Sequence, residues 1–260
     1  AIFVKTKNNI KMLKAERHLY ILKKIQENLK IYTIDLALEL EISEDTVRRD
    51  LNELHNKGKL VKVYGGAYLA EEKSTNIFDI HIVNEDKKYV VGNKALSLLS
   101  DGQVIIMSGG TTNLAFSKLI PSELKATIYT YSLPIAMQLS QHPNIELIFI
   151  GGKLQKNAMV TIGMDVIQML STIKADICFM GVSSINVQSG LTEKGYEVSV
   201  VKKAMIQVSD KVIAMVDSGK LDNKMSHTVC ELAQLHAIIT DLSPKDKKLQ
   251  EYAASGVRLL

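Results

Sequence analysis

Four side chains able to grip a charged, base-bearing polymer fall between positions 46 and 52: Thr46, Arg48, Arg49 and Asn52. An arginine makes charge-assisted hydrogen bonds to phosphate or paired bonds to the O6 and N7 of guanine, and threonine and asparagine reach base edges or phosphates. Either arginine suits either task. All four lie in the run Ser43 to Gly58, S-E-D-T-V-R-R-D-L-N-E-L-H-N-K-G, which reads as a helix. Ser43 is an N-cap, Glu44 and Asp45 suit the positive end of the helix dipole, and Gly58 is a stop. At about 100° per residue, Val47, Leu51 and Leu54 form one apolar stripe while Asp45, Arg49 and Asn52 point away from it. Thr46 and Arg48 flank the exposed side. Asp50 falls on the core side, where it is expected to pair with a cation or the backbone. Taken alone, the run fits an ordinary amphipathic surface helix equally well.

The neighbouring elements decide between these readings. Glu16 to Asn28 has a helical pattern with Leu19, Ile21, Leu22 and Ile25 on a buried face. Thr33 then caps a short helix, Ile34 to Leu40, with Leu36, Ala37 and Leu40 inward, and Glu41-Ile42 makes the turn into the basic helix. That arrangement is a helix-turn-helix. After Gly58, L-V-K-V-Y-G-G-A-Y-L predicts a strand, a turn at Gly65-Gly66 and a return strand. The hairpin is a wing that lays Lys62 and Tyr64 along a sugar-phosphate backbone. The predicted DNA-contacting set is therefore Thr33, Ser43, Thr46, Arg48, Arg49, Asn52, Lys62 and Tyr64.

Composition is consistent with this. The chain has 260 residues, 46% hydrophobic and 23% charged, which is ordinary globular composition and long enough for two domains. The formal charge of +4 is confined to one end. Residues 1–69 carry 13 Lys+Arg against 9 Asp+Glu, and the remainder carries 19 of each. A basic N-terminal end suits phosphate contact. Cys178 and Cys230 sit among apolar residues and pack as small hydrophobes, which suits a reducing cytoplasm. No apolar run reaches the length of a membrane span and no signal-peptide pattern opens the chain. Met12, followed by L-K-A-E-R, resembles a natural initiator, so residues 1–11 stand outside the fold reasoning. The six histidines lack metal-ligand spacing, and neither a metal site nor a cofactor is expected.

Beyond a polar stretch, Ala70 to Asn76, that reads as a hinge, the chain alternates. Helical patterns at Lys88–Leu99, Asn113–Leu119, Pro134–Gln141, Val166–Ile173, Glu197–Ser209 and Lys245–Ser255 separate apolar strands. The strands are Val104–Met107, Thr127–Thr130, Glu146–Ile150, Ile177–Met180, Val212–Val216 and Ala237–Thr240. This predicts an α/β domain, a mostly parallel sheet covered by helices on both faces. The strands run into S-G-G-T-T-N, Y-S-L-P, G-G-K, G-V-S-S, D-S-G-K and T-D-L-S. In open parallel sheets ligands bind outside the carboxyl ends of the strands, so these glycines, hydroxyls and lone lysines are expected to line one crevice. Ser108 to Asn113 is a phosphate cradle in this reading: glycine admits close backbone approach, Thr111 and Thr112 supply hydroxyls, and the next helix aims its amides there. Lys220 adds a point charge. Each piece has a plainer reading, since a glycine pair after a strand is often only a turn. The predicted boundaries are 13–69 for the winged domain, 70–76 for the hinge and 77–260 for the α/β domain.

The run Ser43 to Gly58 followed by L-V-K-V-Y-G-G-A closely resembles the DeoR family of bacterial transcriptional regulators, through Ser43, Thr46, Arg48, Arg49, Asp50, Leu51, Gly65, Gly66 and Ala67. Further along, I-I-M-S-G-G-T-T-N-L-A, T-Y-S-L-P-I-A, F-I-G-G-K, A-D-I-C-F-M-G-V-S-S-I and V-D-S-G-K-L resemble the family's sensor domain. The resemblance implies a fold similar to ribose-5-phosphate isomerase and glucosamine-6-phosphate deaminase, and a phosphorylated sugar as effector. By position Gly110, Thr111, Thr112, Ser132, Gly152, Gly181 and Lys220 match its ligand-lining motifs. Ser108 stands where the family usually has aspartate, Tyr64 where it has histidine, Tyr131 where asparagine is common and His81 where arginine is common. The expected partners are double-stranded operator DNA, a sugar phosphate, and further copies of the chain in a homodimer or homotetramer. The rival reading is a sugar-phosphate isomerase or deaminase with an appended DNA-binding domain. That chemistry needs a positioned base; the loop G-V-S-S-I-N-V offers none, which leaves Asp217 and Glu193.

Overall fold

The computed structural model describes residues 12–28, 30–69 and 84–260, and the chain divides into two compact units, Ala1–Lys73 and Ser74–Leu260. Residues 1–11, the stretch read as a hinge at 70–76 and His81 lie outside the described residues.

The first unit runs α1 (Lys14–Asn28), β1 (Lys30–Tyr32), α2 (Thr33–Glu39), α3 (Glu44–Asn56), β2 (Leu60–Val63) and β3 (Gly66–Leu69). Its core joins Ile21 and Ile25 of α1, Leu36 of α2, the stripe Val47, Leu51 and Leu54 of α3, and Ile31, Leu60 and Ala67 of the strands. Burying each larger aliphatic side chain contributes about 1.5–3 kcal/mol, so this stripe holds α3 in place. Leu19, expected inside, is 69% exposed. The buried face of α1 is set by Ile21 and Ile25, and a residue two positions earlier stands about 200° around the helix from Ile21. The sequence pattern also gives no sign of β1. Its three residues are too few to show alternation, yet they complete an antiparallel sheet in the order β1-β3-β2, with Ile31 opposite Ala67. Gly66 makes that pairing possible: a Cβ there would lie 2.1 Å from the Ile31 carbonyl oxygen. Gly66→Ala is expected to pry β1 from β3 and to lower the unit's melting temperature by several degrees, a shift readable by circular dichroism.

The second unit runs α4 (Glu85–Leu96), β4 (Val104–Met107), α5 (Thr111–Ser117), β5 (Ala126–Thr130), α6 (Leu133–Leu139), β6 (Ile145–Phe149), β7 (Lys153–Gln155) and β8 (Val160–Ile162). It continues with α7 (Met164–Ser171), β9 (Ile177–Gly181), β10 (Ser184–Asn186), β11 (Gly190–Glu193), α8 (Tyr196–Gln207), β12 (Val212–Val216), β13 (His227–Cys230), β14 (Ala237–Thr240), α9 (Gln250–Ala254) and β15 (Arg258–Leu259). Seven parallel strands form the main sheet in the order β15-β14-β12-β9-β4-β5-β6. Its central strands are buried on both faces, as a helix-covered parallel sheet requires. Ile105, Met107, Ile177, Phe179, Ile213 and Met215 pack into one layer, and Ile106, Cys178, Met180 and Ala214 into the other.

Departures from the expected pattern are local. The helix read at Lys245–Ser255 is a 3-10 turn, Lys247–Leu249, followed by the short α9. The Asp246 carboxylate accepts from the Lys248 amide at 2.9 Å and tightens that turn. The β7–β8 hairpin, the small sheet β10-β11-β13 and β15 were not visible in the sequence, because two to four residues are too short for a period. From β4 the chain moves outward through β5 and β6, then returns to the other side of β4 at β9. The direction of winding reverses between β4 and β9, and a crevice at such a reversal is where open α/β sheets take ligands. No helix among the described residues is long and apolar enough to cross a membrane.

Candidate nucleic-acid interface and effector crevice

α3 is built as the serine cap and apolar stripe demand. The Ser43 hydroxyl accepts from the Thr46 amide at 3.3 Å and lies 2.9 Å from the Thr46 hydroxyl. Gly58 stands just beyond the helix with φ +68°. Asp50, buried on the core side, takes Arg17 Nε at 2.8 Å, Arg17 Nη2 at 3.2 Å and His18 Nε2 at 3.1 Å. One carboxylate thus ties α3 to α1, and Arg17 is held more firmly protonated by its bond to Asp50. Arg48 and Arg49 project outward, each paired one turn back, Arg48 with Glu44 at 2.7 Å and Arg49 with Asp45 at 2.6 Å. Lys62 Nζ donates to Asn52 Oδ1 at 2.7 Å, joining the foot of the wing to α3. Tyr64 sits fully exposed at the wing tip beside Gly65, whose φ is +81°.

Thr33 departs from its expected role. The N-cap of α2 is Tyr32, without a side-chain cap bond, and Thr33 is 5% exposed with its amide donating to the Gly65 carbonyl at 2.8 Å. Its backbone amide fastens the wing turn to the start of α2, and its side chain is buried.

At the β4–β9 reversal two backbones meet. A Cβ on Gly181 would stand 2.2 Å from the Gly109 carbonyl oxygen, and one on Gly109 would stand 2.5 Å from Val160 Cγ1 and 3.7 Å from Ser132 Cβ. Gly110 has φ +119° and leads into α5, with Thr111 partly exposed and Thr112 buried. Gly110, Thr111, Thr112, Ser132 and Gly181 are thereby brought together. Ser108 is fully buried behind them: its hydroxyl accepts from the Gly181 amide at 2.6 Å, so it stitches β4 to β9 and offers no surface. Asn113 reinforces the seam, donating to the carbonyls of Ser108 at 2.8 Å and Phe179 at 2.7 Å. Gly152 follows β6 against β8 and α7, where a Cβ would press on Val166 Cγ2 at 2.9 Å and the Ile162 carbonyl oxygen at 3.0 Å.

Lys220, expected as a lone point charge, is already engaged. Its ammonium donates to the Val182 carbonyl at 2.8 Å and lies 3.6 Å from the Asp217 carboxylate. Dehydration lowers its pKa, with Asp217 opposing. Sequence reasoning missed two further lysines here, Lys88 and Lys202. Lys88 donates to the Thr111 hydroxyl at 2.8 Å. Lys202 donates to the Gly181 carbonyl at 2.9 Å and pairs with Glu193, whose oxygens also accept from the Ser183 hydroxyl at 2.7 and 2.8 Å. Burial pushes the Glu193 carboxyl up, but Lys202 and Ser183 outweigh it and hold it below the ordinary carboxylate range. A usable signal existed. Lys88 lies among Val91, Gly92 and Ala95, and Lys202 among Val198, Val201 and Met205, each a lysine on the buried face of its helix. Tyr131 is buried with its hydroxyl toward the Gly109 backbone. Burial raises the Cys178 thiol to about 12 and the Cys230 thiol to about 11, so both are unreactive fillers. Among the described residues no cluster of metal-ligating groups occurs.

Comparison with known proteins addresses both units. A model described as the DeoR-like helix-turn-helix domain matches residues 17–73, and one described as the DeoR C terminal sensor domain matches residues 83–242. The HTH-type transcriptional repressor GlcR of Bacillus subtilis is 32% identical over 252 residues, 96% of this chain and 96% of that protein. The HTH-type transcriptional regulator GolR of Listeria innocua is 30% identical over 88% of this chain and 91% of its own length. The glycerol-3-phosphate regulon repressor of Escherichia coli is 25% identical over 95% and 99% respectively. Among solved structures, ribose 5-phosphate isomerase A of Methanocaldococcus jannaschii is 23% identical, with a TM-score of 0.41 over 54% of this chain and 55% of that one. With both domain models matched in order and relatives alike over nearly the whole length, the chain belongs to the DeoR family of helix-turn-helix transcriptional regulators.

Proposed function

We propose that the chain represses transcription by binding operator DNA through α3 and the wing, and that a phosphorylated sugar or polyol in the β4–β9 crevice relieves that repression. The observation that carries the effector reading is a convergence of groups: the Gly109, Gly110 and Gly181 backbones, the Thr111 hydroxyl and the ammonium groups of Lys88, Lys202 and Lys220 gather at the reversal of winding. Asn52, Lys62 and the two arginines suit the DNA face; homodimers or homotetramers set two such faces on operator half-sites. The name of the Escherichia coli relative, a glycerol-3-phosphate regulon repressor, supports a small phosphorylated polyol or sugar as the ligand class. The ligand is bound and released unchanged. Glu193 is engaged with Lys202 and Ser183, and Asp217 accepts from the Gly219 amide at 3.2 Å while facing Lys220, so neither is a base open to substrate.

The test is a thermal-shift screen of the protein against phosphorylated sugars and polyols. A true ligand at a hundred times its Kd adds about 2.7 kcal/mol to the second unit's stability. Arg49→Ala is expected to weaken operator binding by at least 10-fold in a gel-shift titration while leaving that ligand shift in place. No shift across the panel counts against the sensor reading, and loss of both properties in Arg49→Ala counts against two separate sites.

A further inference from the structure

We propose that Asp45 is a specificity-determining residue of the DNA face, reading one G·C pair together with Arg49. The inference rests on α3 being the DNA-reading helix. In a helix-turn-helix the first residues of the second helix meet base edges in the major groove. Asp45 is the second residue of α3, and Arg49 follows one turn later on the side opposite Val47, Leu51 and Leu54. Their side chains are 64% and 78% exposed, with Arg49 Nη2 2.6 Å from Asp45 Oδ2. A guanidinium and a carboxylate are therefore held side by side on the outermost part of the helix.

Among base-pair edges G·C complements that pair best, because it alone gives the guanidinium two adjacent acceptors beside a donor for the carboxylate, whereas adenine offers N7 alone beside its amino group. Guanine presents two adjacent acceptors, O6 and N7, and its cytosine partner presents the N4 amino donor beside them. Arg49 takes the acceptors and Asp45 takes the donor. Against a phosphate the same carboxylate is a like charge, and in the free protein it occupies the arginine that a phosphate would need. Asp45 thus opposes binding wherever the matching base pair is absent. Arg48 lies on the flank, paired with Glu44, and Lys62 is held by the neutral Asn52. Lys62, held by a neutral amide, suits a flanking phosphate.

The experiment uses the full chain and a random-sequence duplex pool. Duplexes enriched by the wild type, and the unselected pool, are titrated with wild type, Asp45→Asn and Arg49→Lys. Asp45→Asn is expected to bind the unselected pool more tightly, to lower the selected-to-unselected affinity ratio about 10- to 100-fold, and to relax the preference for one G·C pair when selection is repeated. Arg49→Lys, which keeps the charge but loses the paired geometry, relaxes the same position. An unchanged enriched sequence, with both affinities moved by one common factor, overturns the proposal and leaves Asp45 as an acid serving only the helix dipole. Failure of the wild type to enrich any sequence is a separate result: it rejects the DNA-reading face itself, and the proposal with it.

Discussion

Asp50→Ala is expected to unfold the first unit and abolish DNA binding while the second unit melts as before. The Asp50 carboxylate is buried and accepts from Arg17 through two nitrogens and from His18 through a third. Removing one partner of a buried ion pair costs about 3–5 kcal/mol, because the remaining charge is left without compensation. A unit of this size has roughly 3–9 kcal/mol of stability, so most of it is lost. Asp50→Asn keeps one acceptor and is expected to lose less. The contrast with Arg49→Ala is diagnostic. That substitution removes an exposed side chain whose ion pair contributes only about 0.3–0.5 kcal/mol, so DNA binding falls without unfolding. Calorimetry with a gel-shift titration on each variant separates the two outcomes.

Lys202→Met has an effect of similar size in the second unit, with a distinctive pH dependence. In the wild type Lys202 and Ser183 hold the Glu193 carboxyl below its ordinary range. A depressed carboxyl contributes stability above the unfolded value of about 4.3, and that stability is lost as pH falls through the lower folded value. Without Lys202, burial is opposed less and the carboxyl rises. The variant is expected to be about 3–5 kcal/mol less stable at pH 7, with the deficit shrinking toward pH 5 as Glu193 takes up a proton. Adding Glu193→Gln is expected to restore much of the loss at pH 7. Urea denaturation at the two pH values checks this. A deficit that does not change with pH would mean that Lys202 acts through packing alone.

Legibility in the sequence follows physical scale. The serine cap, three-residue stripe and terminal glycine of α3 are local signals that act within one helix, and the structure keeps all of them. The central strands announce themselves as apolar runs because both their faces are covered. β1 does not, since Lys30, Ile31 and Tyr32 are extended only through pairing with Tyr68, Ala67 and Gly66, residues far along the chain. Thr33 has the composition of a cap but is drawn inward by the Gly65 carbonyl. In the crevice the glycines were readable from their place after β4 and β9. Partner choice was not. Ser108 turns to the Gly181 amide, Lys220 to the Val182 carbonyl, and Lys202 to the Gly181 carbonyl at the end of β9. Such choices depend on which strands are neighbours, and neighbour order is set by the winding of the whole sheet.

The central claim is that one chain reads DNA in one unit, binds a phosphorylated ligand in the other, and couples the two. Linkage makes this directly measurable, because a ligand that changes operator affinity must have its own affinity changed by the operator by the same factor. With the best compound from the thermal-shift screen, operator affinity is measured with and without ligand, and ligand affinity with and without operator. The expected result is an equal weakening in both directions, about 5- to 150-fold. A compound that stabilises the second unit but leaves operator affinity unchanged would contradict the account.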